Sequence, residues 1–149
     1  MAMTNDDIFS IKGRILALDL GEKRIGVAIS DATRTIAQPL DVFQRTSRQA
    51  DFATIGRFVQ EQQANMLLVG LPLLLNGTIG EKAAWVQDYA ADLQKTLDMP
   101  LELWDESFTT VQAEASLKAR GRKRHKIREH VDAVAASFIL QSYLDSLAW

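Results

Sequence analysis

An aspartate set inside a run of apolar residues is the first position in this sequence that could do chemistry. Asp19 lies between Leu18 and Leu20 in the run 15–20, and a second apolar run, 25–30, follows after Gly21, Glu22, Lys23 and Arg24. Runs that are apolar at successive positions belong to strands covered on both faces. A carboxylate buried in such a strand is costly unless a cation or several donors meet it. Read structurally, the same residue is an acid that ends a strand or caps the turn at Gly21, and on spacing alone the two readings stand level. Two more acids pose the same question. Glu106 follows Asp105 at the end of the strand-like run 101–105, and alternation sends these two side chains to opposite faces. Asp132 shares the inward side of a helical segment with Ala135, Ala136 and Ile139. An acid in a first turn that favours the helix dipole is the simpler reading of Asp132.

Positive charge is gathered in one place. Lys118, Arg120, Arg122, Lys123, Arg124, Lys126 and Arg128 fall within eleven residues that hold no acid, in a chain whose net charge is −2. A strip of this kind on an acidic body suits a local contact with a polyanion, and it equally suits a solvated loop. There is no cysteine, which excludes disulfides, thiolate metal sites and Cys nucleophiles, and two histidines leave little for zinc.

The elements that must position these groups follow from periodicity. The runs 15–20 and 25–30 form a hairpin on a Gly-containing loop, and 35–43 reads as a third strand in which Pro39 implies an edge or a bulge. Thr46 or Ser47 can cap a helix over 48–63, with Phe52, Ile55, Phe58 and Val59 on one side. A short apolar run, 66–70, is the mark of an interior parallel strand. Residues 71–80 (LPLLLNGTIG) form a loop whose three consecutive leucines are odd for a plain surface connection. Thr78 and Glu81 have capping-box spacing before a helix carrying Val86, Tyr89, Ala90, Leu93 and Leu97. After the fifth strand, 101–105, Thr109 and Gln112 offer a cap for a helix ending near Ala119. The last helix starts near Glu129 and turns Val131, Val134, Ala135, Phe138 and Ile139 to the sheet. This order predicts an α/β domain built on a five-stranded mixed sheet, strands 1–3 antiparallel and two parallel crossover strands after them, with helices on both faces. At 149 residues the chain makes one domain, 1–149, with 1–12 as a flexible lead-in. The polar start and the absence of a spanning apolar run predict a cytoplasmic protein with no membrane contact.

Four separated stretches, DLGEKRIGVAISD, VGLPLLLNGT, WDESFTT and HVDAVAASFILQSYL, resemble in sequence and order the YqgF/RuvX family of Holliday-junction resolvases and pre-16S rRNA processing nucleases, across 15–144. The resemblance implies an RNase H-like fold and places the family's three acidic positions on Asp19, Glu106 and Asp132, as catalytic residues and as ligands of Mg²⁺ or Mn²⁺. It departs from the family at Ser107, commonly Arg, and at His130, commonly Lys.

Hydrolysis of a phosphodiester needs an activated water and relief of charge on the phosphoryl and leaving oxygens, which two Mg²⁺ ions about 4 Å apart supply. Magnesium takes hard oxygen ligands, so carboxylates suffice. Phosphate would be met by Lys23, Arg24, Arg122, Lys123, Arg124, Lys126 and Arg128, and by backbone N–H groups around Gly77 to Gly80 at a helix start, with Gly70, Pro72, Asn76, Gly77 and Thr109 shaping the site's loops. With no base-reading element in the sequence, recognition by shape is expected. The implied partners are a pre-rRNA or branched DNA, and the chain is expected as a monomer or weak homodimer. The competing reading is a non-catalytic RNase H-fold factor that binds nucleic acid in ribosome maturation or transcription; an actin or sugar-kinase type ATPase also opens with an Asp-containing hairpin but needs a second lobe that 149 residues do not supply, and saturable ATP binding would revive it.

Overall fold

Strands β1 (Arg14–Leu20) and β2 (Arg24–Ser30) are an antiparallel pair, joined by a turn in which the Gly21 N–H donates to the Arg24 carbonyl at 2.9 Å. Both are buried nearly end to end, because their apolar side chains are covered from two sides. The computed structural model describes residues 12–106 and 124–147, with backbone alone for 124–131.

Outside β2 lies β3 (Ala37–Gln44), antiparallel to it. Pro39 has no N–H to give to a ladder, and the register slips beside it, between the pairs Val27–Asp41 and Ala28–Pro39. The expected edge and the expected bulge are therefore both present. On the other side β4 (Ala64–Leu71) and β5 (Leu101–Asp105) run parallel to β1, giving the order β3-β2-β1-β4-β5. Parallel neighbours need crossovers, and helices supply them: α1 (Arg48–Gln62) precedes β4 and α2 (Glu81–Leu97) precedes β5. The chain closes with α3 (Arg124–Leu147). This is the mixed sheet that the sequence predicts.

The helices divide between the two faces. Leu16, Leu18, Val27 and Ile29 pack against Phe52, Ile55 and Phe58 of α1 and Val86, Tyr89 and Leu93 of α2. On the opposite face Ile15, Ala17, Ala28 and Leu68 meet Ala136, Ile139, Leu140, Tyr143 and Leu144 of α3.

Three local expectations need correction. Ser47 does cap α1, accepting from the Ala50 N–H at 3.1 Å, but the Thr78 capping box does not form. Gly80 is the N-cap of α2, and the Thr78 hydroxyl is held by Asn76 Oδ1 at 2.6 Å, a local side-chain bond that competes with capping. Helix α3 begins at Arg124 and not near Glu129, since lysine and arginine are good helix formers and the basic run extends the helix. Asp132 consequently sits in the third turn, and no acid occupies the first, which removes the helix-dipole explanation for it. The buried stripe of α3 is also rotated from the expected one: Ala136, Leu140 and Tyr143 are inside, while Val134 and Phe138 are only half-buried. The helix expected over 109–119, and with it Ser107, Thr109, Arg122 and Lys123, lies outside the described residues.

Candidate active site

Asp19 continues the series Ile15, Ala17 along β1, so its side chain points to the α3 face. Its partner across the ladder is Gly26 on β2, and the missing side chain there is required. A Cβ on Gly26 would lie 1.8 Å from the Asp132 carbonyl oxygen, so the backbone of α3 rests directly on β2 beside Asp19. Fully buried Ala135 and Ala136 permit the same close approach in the next turn.

A second glycine makes the complementary space on β4. A Cβ on Gly70 would come within 2.4 Å of Glu106 Oε2 and 2.8 Å of Ile139 Cδ1. Glu106 thus turns inward over Gly70, while Asp105 is exposed. Its own N–H donates to the Leu71 carbonyl at 3.2 Å, which fixes the end of β5 to the end of β4.

Two carboxyls therefore meet in the space left by glycines. Burial pushes Asp19 well above the usual carboxylate range, the charge of Glu106 pushes it further, and the hydrogen bond between the two favours the proton on Asp19; Asp132 adds repulsion and Lys82 opposes it. Glu106 is raised as well, first by burial, with the Asp19 hydrogen bond and the Lys82 charge drawing it back. The two titrate as a linked pair in which the hydrogen bond favours the proton on Asp19. Asp132 stands at the rim, where Arg24 Nε donates to its Oδ2 at 2.9 Å.

The donor set is all carboxylate oxygen, the ligand type that Mg²⁺ and Mn²⁺ take, and the Gly70 cradle holds Glu106 inward. Among the described residues no group of three acidic or imidazole side chains is gathered closely enough to hold one ion. Asp19 and Glu106 are brought together, and Asp132 is brought near Asp19 but engaged by Arg24.

The remaining predicted residues fall as follows. Lys23 is exposed in the β1–β2 turn. Arg124, Lys126 and Arg128 belong to the first turns of α3, leading up to Asp132. Of the amides expected to meet phosphate around Gly77 to Gly80, two are engaged within the loop: the Gly77 N–H donates to the Leu74 carbonyl at 2.8 Å and the Thr78 N–H to Asn76 Oδ1 at 3.1 Å. Asn76 and Gly77, with φ +80° at the glycine, shape the turn itself, and Pro72 opens the loop that carries it. Two contributors escaped sequence reasoning. Gly26 looked like an ordinary strand glycine, and a glycine paired opposite a buried acid is the signal that could have found it. Lys82 was hidden in a helix start.

A family model described as "RuvX: Holliday junction resolvase" matches residues 13–146. A protein of Chloroflexus aurantiacus named "Putative pre-16S rRNA nuclease" is 48% identical over 132 residues, covering 89% of this chain and 86% of its own. One of the same name from Thermoanaerobacter pseudethanolicus is 43% identical, covering 89% and 96%. Among solved structures, Thermus thermophilus RuvC in complex with a Holliday junction superposes with a TM-score of 0.56 at 14% identity, over 91% of this chain and 96% of that one. The fowlpox virus resolvase with Holliday junction DNA gives 0.55 at 14%, over 91% and 99%. These structures share the fold, which is RNase H-like. The family match over nearly the whole described chain, with relatives above 40% identity, shows that this chain belongs to the RuvX family.

Proposed function

We propose that the chain is a divalent-metal-dependent endonuclease acting on structured nucleic acid, with the 5′ end of pre-16S rRNA as its first candidate substrate and a four-way junction as its second. The observation that carries the reading is the Asp19–Glu106 pair, two hydrogen-bonded carboxyls whose proton affinity is raised, in both by burial and in Asp19 also by the charge of Glu106, beside the space that Gly70 leaves. Repulsion of that kind is costly to a fold and is relieved by a cation. The RNA is placed first because relatives at 43–48% identity carry that name, whereas the junction complexes resemble this chain at 14%.

Mg²⁺ or Mn²⁺ bound at such a site supplies an activated water and stabilises the departing oxygen. Asp19 and Glu106 would hold it, with Asp132 completing the set on release from Arg24. Protons held by the pair compete with the ion, so binding and proton release are linked. Lys23, Arg24 and the cations 124, 126 and 128 would take backbone phosphates, which fixes the position of a substrate without reading its sequence. Affinity would fall steeply with salt. A two-fold dimer would match a symmetric junction, and a monomer suffices for an RNA end.

The decisive experiment compares wild type with Asp19→Asn on precursor rRNA and on branched DNA in Mg²⁺ and in Mn²⁺, with the cleaved ends mapped. Metal-dependent cutting lost in the variant supports the proposal. Binding of either substrate with no cutting in any metal supports the non-catalytic factor instead, a reading favoured by the Arg24–Asp132 ion pair that engages the third acid.

A further inference from the structure

The loop between β4 and α2 carries an apolar surface that neither the fold nor the acid pair uses. Leu75 is fully exposed, and Leu74 and Ile79 are each 52% exposed. Exposed leucines on a floppy loop would mean little. This loop is instead tied to itself: the Leu74 N–H donates to the Thr78 carbonyl at 2.9 Å, the Gly77 N–H to the Leu74 carbonyl at 2.8 Å, and Asn76 Oδ1 accepts from both the N–H and the hydroxyl of Thr78. With Gly77 at φ +80°, the left-handed position that closes such a turn, Leu75 and Asn76 occupy its apex. Gly80 admits Leu74 against its backbone, since a Cβ there would stand 3.1 Å from the leucine side chain. A rigid turn thus holds one bare leucine outward, with two more apolar side chains beneath it.

Position says what the leucine meets. The loop leaves β4 just after Gly70, the residue that faces the Glu106 carboxylate, and the Leu71 carbonyl at its root accepts the Glu106 N–H. The far end returns to the same place, since the charge of Lys82, two residues beyond the loop, acts on both Asp19 and Glu106. Residues 71–80 contain no charged side chain, so the loop offers no countercharge to a phosphate. What it does offer, an aliphatic side chain on a stiff support, fits the apolar face of a nucleobase. Wedges of this type enter base steps and unstack them.

Resting on the nuclease reading above, we infer that Leu75, supported by Leu74 and Ile79, is a wedge that enters a base step next to the scissile phosphate and holds an unpaired or unstacked nucleotide there. The substrate class that follows is a helix end, fork or junction where one base can be displaced at low cost, and not continuous duplex.

The test uses the full-length protein with forked oligonucleotides that carry 2-aminopurine at the fork, in EDTA so that no hydrolysis intervenes. Wild type is expected to raise 2-aminopurine fluorescence on binding. Leu75→Ser loses most of that rise, Leu75→Phe restores it, and both variants keep the wild-type Tm because the side chain touches no core. A rise that persists undiminished in Leu75→Ser overturns the inference. So does a Leu75→Ser protein that shifts from dimer to monomer in sedimentation while its fluorescence response is unchanged, which would make the apolar turn a contact between copies. A wild type that unstacks the fork and never cuts in any metal keeps the wedge and refutes the nuclease. One that cuts without unstacking refutes the wedge alone.

Discussion

Each face of the sheet turns an aspartate inward, and the two faces treat it in opposite ways. On the α1/α2 face Asp51 is 2% exposed, and its oxygens accept from the Tyr89 hydroxyl at 3.1 Å and the Thr46 N–H at 3.0 Å. Donors surround it, and it ties the start of α1 to α2. On the α3 face Asp19 meets a second carboxyl, with a third acid at the rim. A buried polar group that is satisfied holds a structure together, whereas one opposed by like charge lowers stability and is explained by what it can bind. On the function proposed above, the difference separates the half that holds the molecule together from the half that carries the site.

Asp19→Asn tests the comparison most severely. Cleavage is expected to fall by about 10³-fold or more, as when a group central to transition-state charge is lost. Tm should stay level or rise, because a repulsion disappears. A large drop in Tm would mean that Asp19 is structural after all. Gly26→Ala comes next. A Cβ 1.8 Å from the Asp132 carbonyl forces α3 off β2, costing about 3 kcal/mol in chemical denaturation and displacing Asp132 from the acid pair. Gly70→Ala meets the movable ends of Glu106 and Ile139 instead, and should cost less stability than activity. Asp51→Ala is the mirror image of Asp19→Asn, expected to remove roughly 2 kcal/mol of stability while the activity per folded molecule is unchanged.

The pH dependence sharpens the contrast further. Asp19 and Glu106 both bind protons more tightly in the folded chain than in the unfolded one. Their contribution to stability is therefore complete below the ordinary carboxylate range, near pH 4, and is lost as pH rises through their elevated values. In EDTA the wild-type Tm should decline from acid toward neutral pH more than that of Asp19→Asn. Millimolar Mn²⁺ at neutral pH should reverse the decline in wild type only. The smallest effect belongs to Arg24→Gln. Its ion pair with Asp132 joins side chains that are 34% and 24% exposed, and breaking it should change stability by less than about 1 kcal/mol.

Much of this was legible in the sequence because burial leaves a local mark. Apolar runs gave β1, β2 and β4, and Pro39 announced an irregular edge. The resemblance in four motifs placed Asp19, Glu106 and Asp132, two of which the fold brings into contact. What could not be read depends on partners distant in the chain. Gly26 matters only because α3, more than a hundred residues later, lands on it. Asp51 is buried in the first turn of α1, where an exposed acid is the ordinary expectation, because Tyr89 reaches it from another helix. The start of α3 was misplaced because a dense run of lysine and arginine reads as solvated loop as readily as helix.

The outer margin of the sheet has a consequence for the behaviour of this molecule in concentrated solution. On β3, Pro39 has no amide hydrogen and the Val42 amide is capped by the carboxylate of the preceding Asp41 at 2.7 Å, while the slipped register kinks the strand between them. A foreign chain seeking to add itself there finds donors missing or occupied and a curve in place of a straight rail. Fibre growth by strand addition is thereby discouraged at this border, however crowded the surroundings.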